Sequence, residues 1–259
     1  MNWRRVVTCG IAEASAAVRS ISIPAPSYRI LMYHSIGGEA LGDKLGIFGV
    51  TPHRFRQHMA SLARDTSLRV VGLDAMHLES TTDCMSITFD DGYKDNLYAA
   101  APILAEYAFP FTVFVSGGFV RPDSRQFLSP SELRELASLP NVTIGAHGLT
   151  HVALTTCDER GLKNELFSSK SFLEDVIGKP VSTMAYPYGA VNRRVRDAVE
   201  LAGYTLGGSS YMGTNHIEDD PLLLSRTSIL GIDSTRVFKQ KICGHWDWYK
   251  WLQQNPTAV

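Results

Sequence analysis

The segment FPFTVFVS (109–116) is apolar at almost every position, yet far too short to cross a membrane. It lacks the alternation of a half-buried strand, so both of its faces must be covered. A strand of this kind belongs in the middle of a sheet wrapped by helices. The rest of the chain supplies the partners. Strands are predicted at YRILMYHS (28–35), RVVGL (69–73), CMSITF (84–89), VTIGAH (142–147), STMAYP (182–187), YTLGGSS (204–210) and LLLSRTSI (222–229). Helices are predicted at 51–64, 95–107, 129–138, 158–177, 191–203 and 233–241. Thr51 with Pro52 marks the first helix start, and Ser129 or Ser131 with Pro130 and following acids marks the third. Asp95 or Asn96 is the expected cap of the second. The alternation of strand and helix predicts an α/β fold with a largely parallel sheet, open or closed as a barrel.

The chain has 259 residues, enough for one large domain whose core needs no disulfide or structural metal. Residues 1–27 are expected to form an N-terminal extension, with Trp3, Val7, Ile11 and Ala14 along one side of a helix. That segment begins with basic residues like a secretory signal, but its apolar run is short and broken by Glu13. Residues 28–259 are expected to form a single domain. It ends in the aromatic tail WDWYKWL, taken as a C-terminal helix, with a lid or platform over a site as the other use of its rings. A formal net charge of -1 argues against a nucleic-acid partner. No stretch reaches the length of a transmembrane segment, so a cytoplasmic location, with peripheral membrane contact allowed, is the expectation. Cys9, Cys84, Cys157 and Cys243 lie far apart and are expected to be buried free thiols.

Polar residues recur where predicted strands end: His34, Asp90 with Asp91, His147 and Tyr188. In parallel α/β folds that edge binds ligands. In TFDDG (88–92) two adjacent carboxylates repel each other. The pair is either a simple D-G turn, or one acid holds a cation while the other transfers a proton. Gly92 allows a tight backbone turn. His147 and His151 bracket a loop after a strand. Two imidazoles and a carboxylate suit zinc or another late first-row divalent ion, with a position left for water. In AYPYGA (185–190) Pro187 and Gly189 shape an unusual strand exit. It is either a rigid loop with packed tyrosines or a device that aims the Tyr188 N–H at a developing oxyanion.

Taken in order, these motifs resemble those of the polysaccharide deacetylases of carbohydrate esterase family 4, which carry the NodB-homology domain. TFDDG, HGLTH (147–151) and AYPYG (185–189) stand for the three family motifs, and the likeness runs from about Arg29 to Ile229. RILMYHSI and SRTSI look like the branch containing poly-N-acetylglucosamine deacetylases. The resemblance implies a distorted (β/α) barrel of seven strands and a divalent metal, Zn2+, as cofactor. It implies an N-acetylated carbohydrate as substrate. Asp90 would be the general base, and Asp91, His147 and His151 the metal ligands. Tyr188 would offer its backbone N–H to the tetrahedral intermediate.

The chain departs from the family pattern in four places. Gly148 replaces a Ser or Thr, and Val152 replaces a proline. Ala185 stands where many members carry an arginine that orders the base; Arg226 is the expected substitute from another strand. No late motif supplies the histidine that often acts as general acid. The general acid is left open; His34, at the first strand end, is the expected histidine of the site and a candidate for substrate contact, with His216 and His245 in reserve. The same barrel can serve other amide or ester deacylations, and an inactive carbohydrate-binding protein is the rival from another class.

Overall fold

The computed structural model describes residues 12–13, 27–40, 42–78 and 83–253. All its strands are parallel: β1 (Tyr28–Tyr33), β2 (Arg69–Val70), β3 (Cys84–Phe89), β4 (Phe111–Val115), β5 (Val142–Ala146), β6 (Thr183–Ala185), β7 (Leu206–Gly208) and β8 (Thr227–Ser228). The sheet order is β7-β6-β5-β4-β3-β1-β8. β2 lies outside that path. It pairs with the start of β3 at Cys84 and Met85, and β4 takes over the pairing from Ile87. A parallel bridge between Gly208 and Leu224 brings β7 against the segment that leads into β8. The seven-strand sheet thus curls until its edges meet, a distorted barrel. YTLGGSS and LLLSRTSI form shorter strands than predicted: past the Gly208–Leu224 bridge the Arg226 N–H bonds the Tyr211 carbonyl, outside any regular ladder, while the Arg226 side chain lies against Gly208.

β4 is buried along its whole length, as its composition predicts. Phe111, Val113 and Val115 pack outward under the helices, and Phe114 packs inward with Ile30, Ala185, Leu206 and Leu224. The interior is tight. A methyl group on Gly145 would stand 2.5 Å from the Phe114 ring, so only glycine fits beside it.

The helices are α1 (Pro52–Arg64), α2 (Ala101–Ala105), α3 (Pro130–Ser138), α4 (Glu159–Lys163), α5 (Ser169–Ile177), α6 (Arg193–Leu201) and α7 (Thr235–Ile242). Thr51 caps α1 by accepting from the Arg54 N–H, and Ser129 with Glu132 forms a capping box on α3. A π segment, Asn164–Ser168, joins α4 to α5, and another, Asn96–Ala100, precedes α2.

Neither Asp95 nor Asn96 acts as the expected side-chain cap. The Asp95 carboxylate instead accepts from Ser35 Oγ at 2.6 Å and from the Gly38 N–H at 3.2 Å. Asn96 donates to the His34 carbonyl at 2.9 Å. Both residues therefore brace the exit of β1. The aromatic tail carries a 3₁₀ helix, Asp247–Leu252. Hydrogen bonds at Asp247 and Gln253 pin it to the barrel. Cys84 is buried as expected, but Cys157 is half-buried and Cys243 exposed. Of the predicted N-terminal helix only Ala12 and Glu13 lie among the described residues; both are helical, and Glu13 pairs with Arg236 on α7. No helix among the described residues is long and apolar enough to cross a membrane.

Candidate active site

The C-terminal ends of β1, β3, β5 and β6 open into one cavity of about 550 Å³. His34, Asp90, Asp91, His147, His151, Tyr188 and Arg226 all line it. His216 and His245 do not line it. Non-glycine residues adopt a positive φ at five described positions, and three of them are here: Asp91 (75°), His151 (58°) and Tyr188 (59°). Such conformations cost about 1–3 kcal/mol each and persist where the surroundings enforce them.

The turn at Asp91 separates the two neighbouring carboxylates. Asp90 continues the strand direction and meets Arg226, which donates to its two oxygens at 2.6 and 2.8 Å. Arg226 is 1% exposed; its Nε donates to the Ser209 carbonyl at 2.7 Å, and its guanidinium lies over the Phe114 ring. Burial alone would raise the Asp90 pKa, but the Arg226 charge and hydrogen bonds outweigh it and hold the carboxyl below its ordinary value.

Asp91 faces the other way. Its Oδ1 lies 3.5 Å from His147 Nε2 and 3.1 Å from His151 Nε2. The His147 Nδ1 donates to the Ala185 carbonyl at 2.8 Å. A carbonyl can only accept, so Nδ1 carries the proton. Burial lowers the His147 pKa, against the pull of both aspartates, and the ring is neutral. Its Nε2 lone pair is therefore free and points at Asp91.

Asp91 Oδ1 is buried and has no well-oriented hydrogen-bond donor. An oxygen with that much unmet demand beside two imidazole nitrogens is what a cation would satisfy. The donor set also has the right size. Ligand bonds of about 2.0–2.1 Å at tetrahedral angles place donor atoms about 3.3 Å apart. Asp91, His147 and His151 thus fit a divalent ion, and they form a group whose ligand atoms all lie within 4.8 Å of one another.

One feature of the flanking loops could not be read from the motifs. The loop 148–150 is clamped by Glu165, a buried residue of the π segment. Its carboxylate accepts from the Leu149 N–H at 2.7 Å, from the Thr150 N–H at 3.0 Å and from the Thr150 hydroxyl. Gly148 has φ +70°, and a Cβ there would press on Glu165 at 3.0 Å. The loop is thus steadied by a distant acid in place of a local hydroxyl. Tyr188 follows Pro187 in the left-handed region, and its N–H meets no acceptor among the described residues. Gly189 is required next: any Cβ would collide with Ser210. The Tyr188 ring packs on His151 at 4.7 Å. His34 stands against Phe48, and its Nδ1 is buried with no hydrogen-bond partner.

A parallel barrel that gathers three side chains able to hold a cation and a separate, guanidinium-bound carboxylate in one cleft has parts that a hydrolase could use. The polysaccharide deacetylase family model matches residues 77–207. The chain belongs to that family. Among its relatives is YxkH of Bacillus subtilis, assigned to the polysaccharide deacetylases. It is 28% identical over an alignment of 206 residues that covers 77% of this chain and 70% of YxkH. The polysaccharide deacetylase BC0361 of Bacillus cereus superposes with a TM-score of 0.74 at 25% identity, over 84% of this chain and 69% of its own. The Streptococcus pyogenes deacetylase PplD, solved in complex with acetate, has the same fold. Its TM-score is 0.73 at 23% identity, over 84% of this chain and 99% of its own.

Proposed function

We propose that the protein is a divalent-metal-dependent hydrolase that removes N-acetyl groups from an acetylated amino sugar in a polysaccharide, with Zn2+ as the ion. The supporting observation is the division of labour between adjacent aspartates: Asp90 is held by Arg226 while Asp91 joins two histidine nitrogens in the same cavity. Two imidazoles and one carboxylate are the donor set of a catalytic zinc site with an open position. The bound acetate of PplD, the reaction's small product, agrees with this chemistry.

Asp91, His147 and His151 would hold the ion. When bound, a divalent cation supplies Lewis acidity, polarising a carbonyl and acidifying water. Asp90 is ionised at neutral pH and fixed in direction by Arg226, so one of its oxygens takes the proton of the attacking water. The unpartnered Tyr188 N–H donates to the oxyanion as the amide carbonyl becomes tetrahedral. An amine leaves only with a proton. His34, whose ring lines the cavity, supplies it. The products are acetate and a free amino sugar.

The two aspartates should fail differently. Asp91→Asn should lose tight zinc binding and turnover together. Asp90→Asn should keep zinc and lose turnover by about 10²–10⁴-fold. An Asp90→Asn protein that hydrolyses acetylated sugars at the wild-type rate would overturn the assignment.

A further inference from the structure

We propose that the C-terminal segment Trp246–Gln253 is a sugar-binding strap, with Trp246 and Tyr249 forming a platform for a neutral pyranose ring next to the acetylated one. The inference rests on the deacetylase function proposed above. Trp246 and Tyr249 line the same cavity as the catalytic side chains. Tyr249 is 38% exposed, and its hydroxyl hydrogen-bonds to no group among the described residues. Trp248 sits between the two, 6.1 Å from Trp246 and 5.9 Å from Tyr249, and fixes their spacing.

The strap is built in and not a loose tail. At one end Arg29, 4% exposed at the base of β1, donates to both oxygens of Asp247 at 2.8 and 2.9 Å. The same guanidinium bonds Thr227 of β8, and Thr214 adds a hydroxyl to Asp247. At the other end Gln253 accepts from the Met212 N–H at 2.7 Å and donates to the Ser210 carbonyl at 3.1 Å. A partly buried bidentate ion pair at one end and an amide clamp at the other hold a 3₁₀ segment that has no buried residue of its own. Burial cannot account for such anchoring, whereas presenting rings to a ligand can.

The charge balance selects the ligand class. The cationic Lys and Arg side chains lining the cavity are Arg226 and Lys241. Asp90 holds the first, and Asp233 holds the second at 2.6 Å. Neither is left to receive a phosphate. Aromatic faces with an uncharged hydroxyl suit the C–H face and hydroxyls of a sugar ring, so the strap fits a neutral glycan and not a nucleotide- or phosphate-linked sugar.

The test uses N-acetylglucosamine, its β-1,6- and β-1,4-linked tetramers, and its uridine-diphosphate ester. Binding is read by tryptophan fluorescence on full-length metal-stripped protein, and acetate release on zinc-loaded protein. One tetramer should bind about 3–10-fold more tightly than the monosaccharide, the worth of one aromatic contact. Tyr249→Ala and Trp246→Ala should erase that preference, and Tyr249→Trp should restore it. On turnover, the loss in kcat/KM should be larger on the tetramer than on the monosaccharide. Equal binding of monosaccharide and tetramers, a preference that survives both alanine variants, or tightest binding of the uridine-diphosphate sugar would each overturn the strap. Acetate release without any chain-length dependence sinks the strap alone. A chain-length preference without acetate release sinks the deacetylase function and leaves the strap standing.

Discussion

Replacing Arg226 by Met removes the partner of a carboxylate that has nowhere else to turn. Asp90 is 3% exposed, and the guanidinium meets both of its oxygens at 2.6 and 2.8 Å. Breaking a buried ion pair from one side costs about 3–5 kcal/mol, because the remaining charge stays desolvated. Set against a total stability of about 5–15 kcal/mol, that is a large share. Urea unfolding should show a lower midpoint with an unchanged slope. The deficit should also depend on pH. In the wild type the Asp90 pKa is lowered on folding, so the pair stabilises above the unfolded value of about 4 and fades as pH falls below it. In the variant burial dominates and the pKa rises instead. The carboxyl must then lose its proton at a cost, so the deficit grows as pH climbs from about 4 towards 7. Asp90→Asn in the same protein should recover much of the loss. Stability within about 1 kcal/mol of wild type at every pH from 4 to 8 would refute the coupling.

Other predictions follow from residues around the same frame. Glu165→Ala should weaken zinc binding about 10–100-fold by freeing the loop between the two histidines, while Glu165→Gln, which keeps an acceptor oxygen for the backbone N–H groups, should lose less; competition with a chromophoric chelator measures both. His58 is fully buried, stacks on Phe238 at 4.0 Å, and has its pKa pushed down to about 3, chiefly by burial. Its neutral form is the one that folds, so stability should be full above about pH 6.5 and fall by up to about 1.4 kcal/mol per pH unit below it; His58→Leu should flatten that decline in thermal melts. Gly145→Ala should cost about 1–3 kcal/mol by overpacking against Phe114 and Thr183, read as a lower urea midpoint.

Local chemistry carried much of the architecture. FPFTVFVS declares its double burial by composition, and Thr51 and Ser129 mark helix starts because capping is a contact between near neighbours in the chain. The edge that carries the candidate site was legible for a similar reason: polar residues that end apolar strands need a ligand or water. Most long-range pairings were not legible. Asp95 has every local feature of a cap, yet Ser35, 60 residues away, takes its carboxylate. The closure of the barrel rests on two glycines meeting a segment that bends around Arg226. Glu165 sits 16 residues from the loop it clamps, on a helix whose pattern gives no sign of it. Arg226 was reachable because Ala185 leaves a gap in the familiar motif, and a buried Asp90 needs a cation from somewhere. The aromatic tail carried an ambiguous signal: its rings suit helix docking as well as a cleft wall, and the anchors at Arg29 and Gln253 favour the wall.

Acetate release from N-acetylglucosamine polymers, with chelated protein and again after zinc is restored, puts the whole account at risk in one assay. The account predicts acetate only with zinc present, and none from Asp91→Asn protein under either condition. Equal acetate release by the chelated and zinc-restored protein, or none from a protein shown to bind zinc at Asp91, His147 and His151, would contradict it.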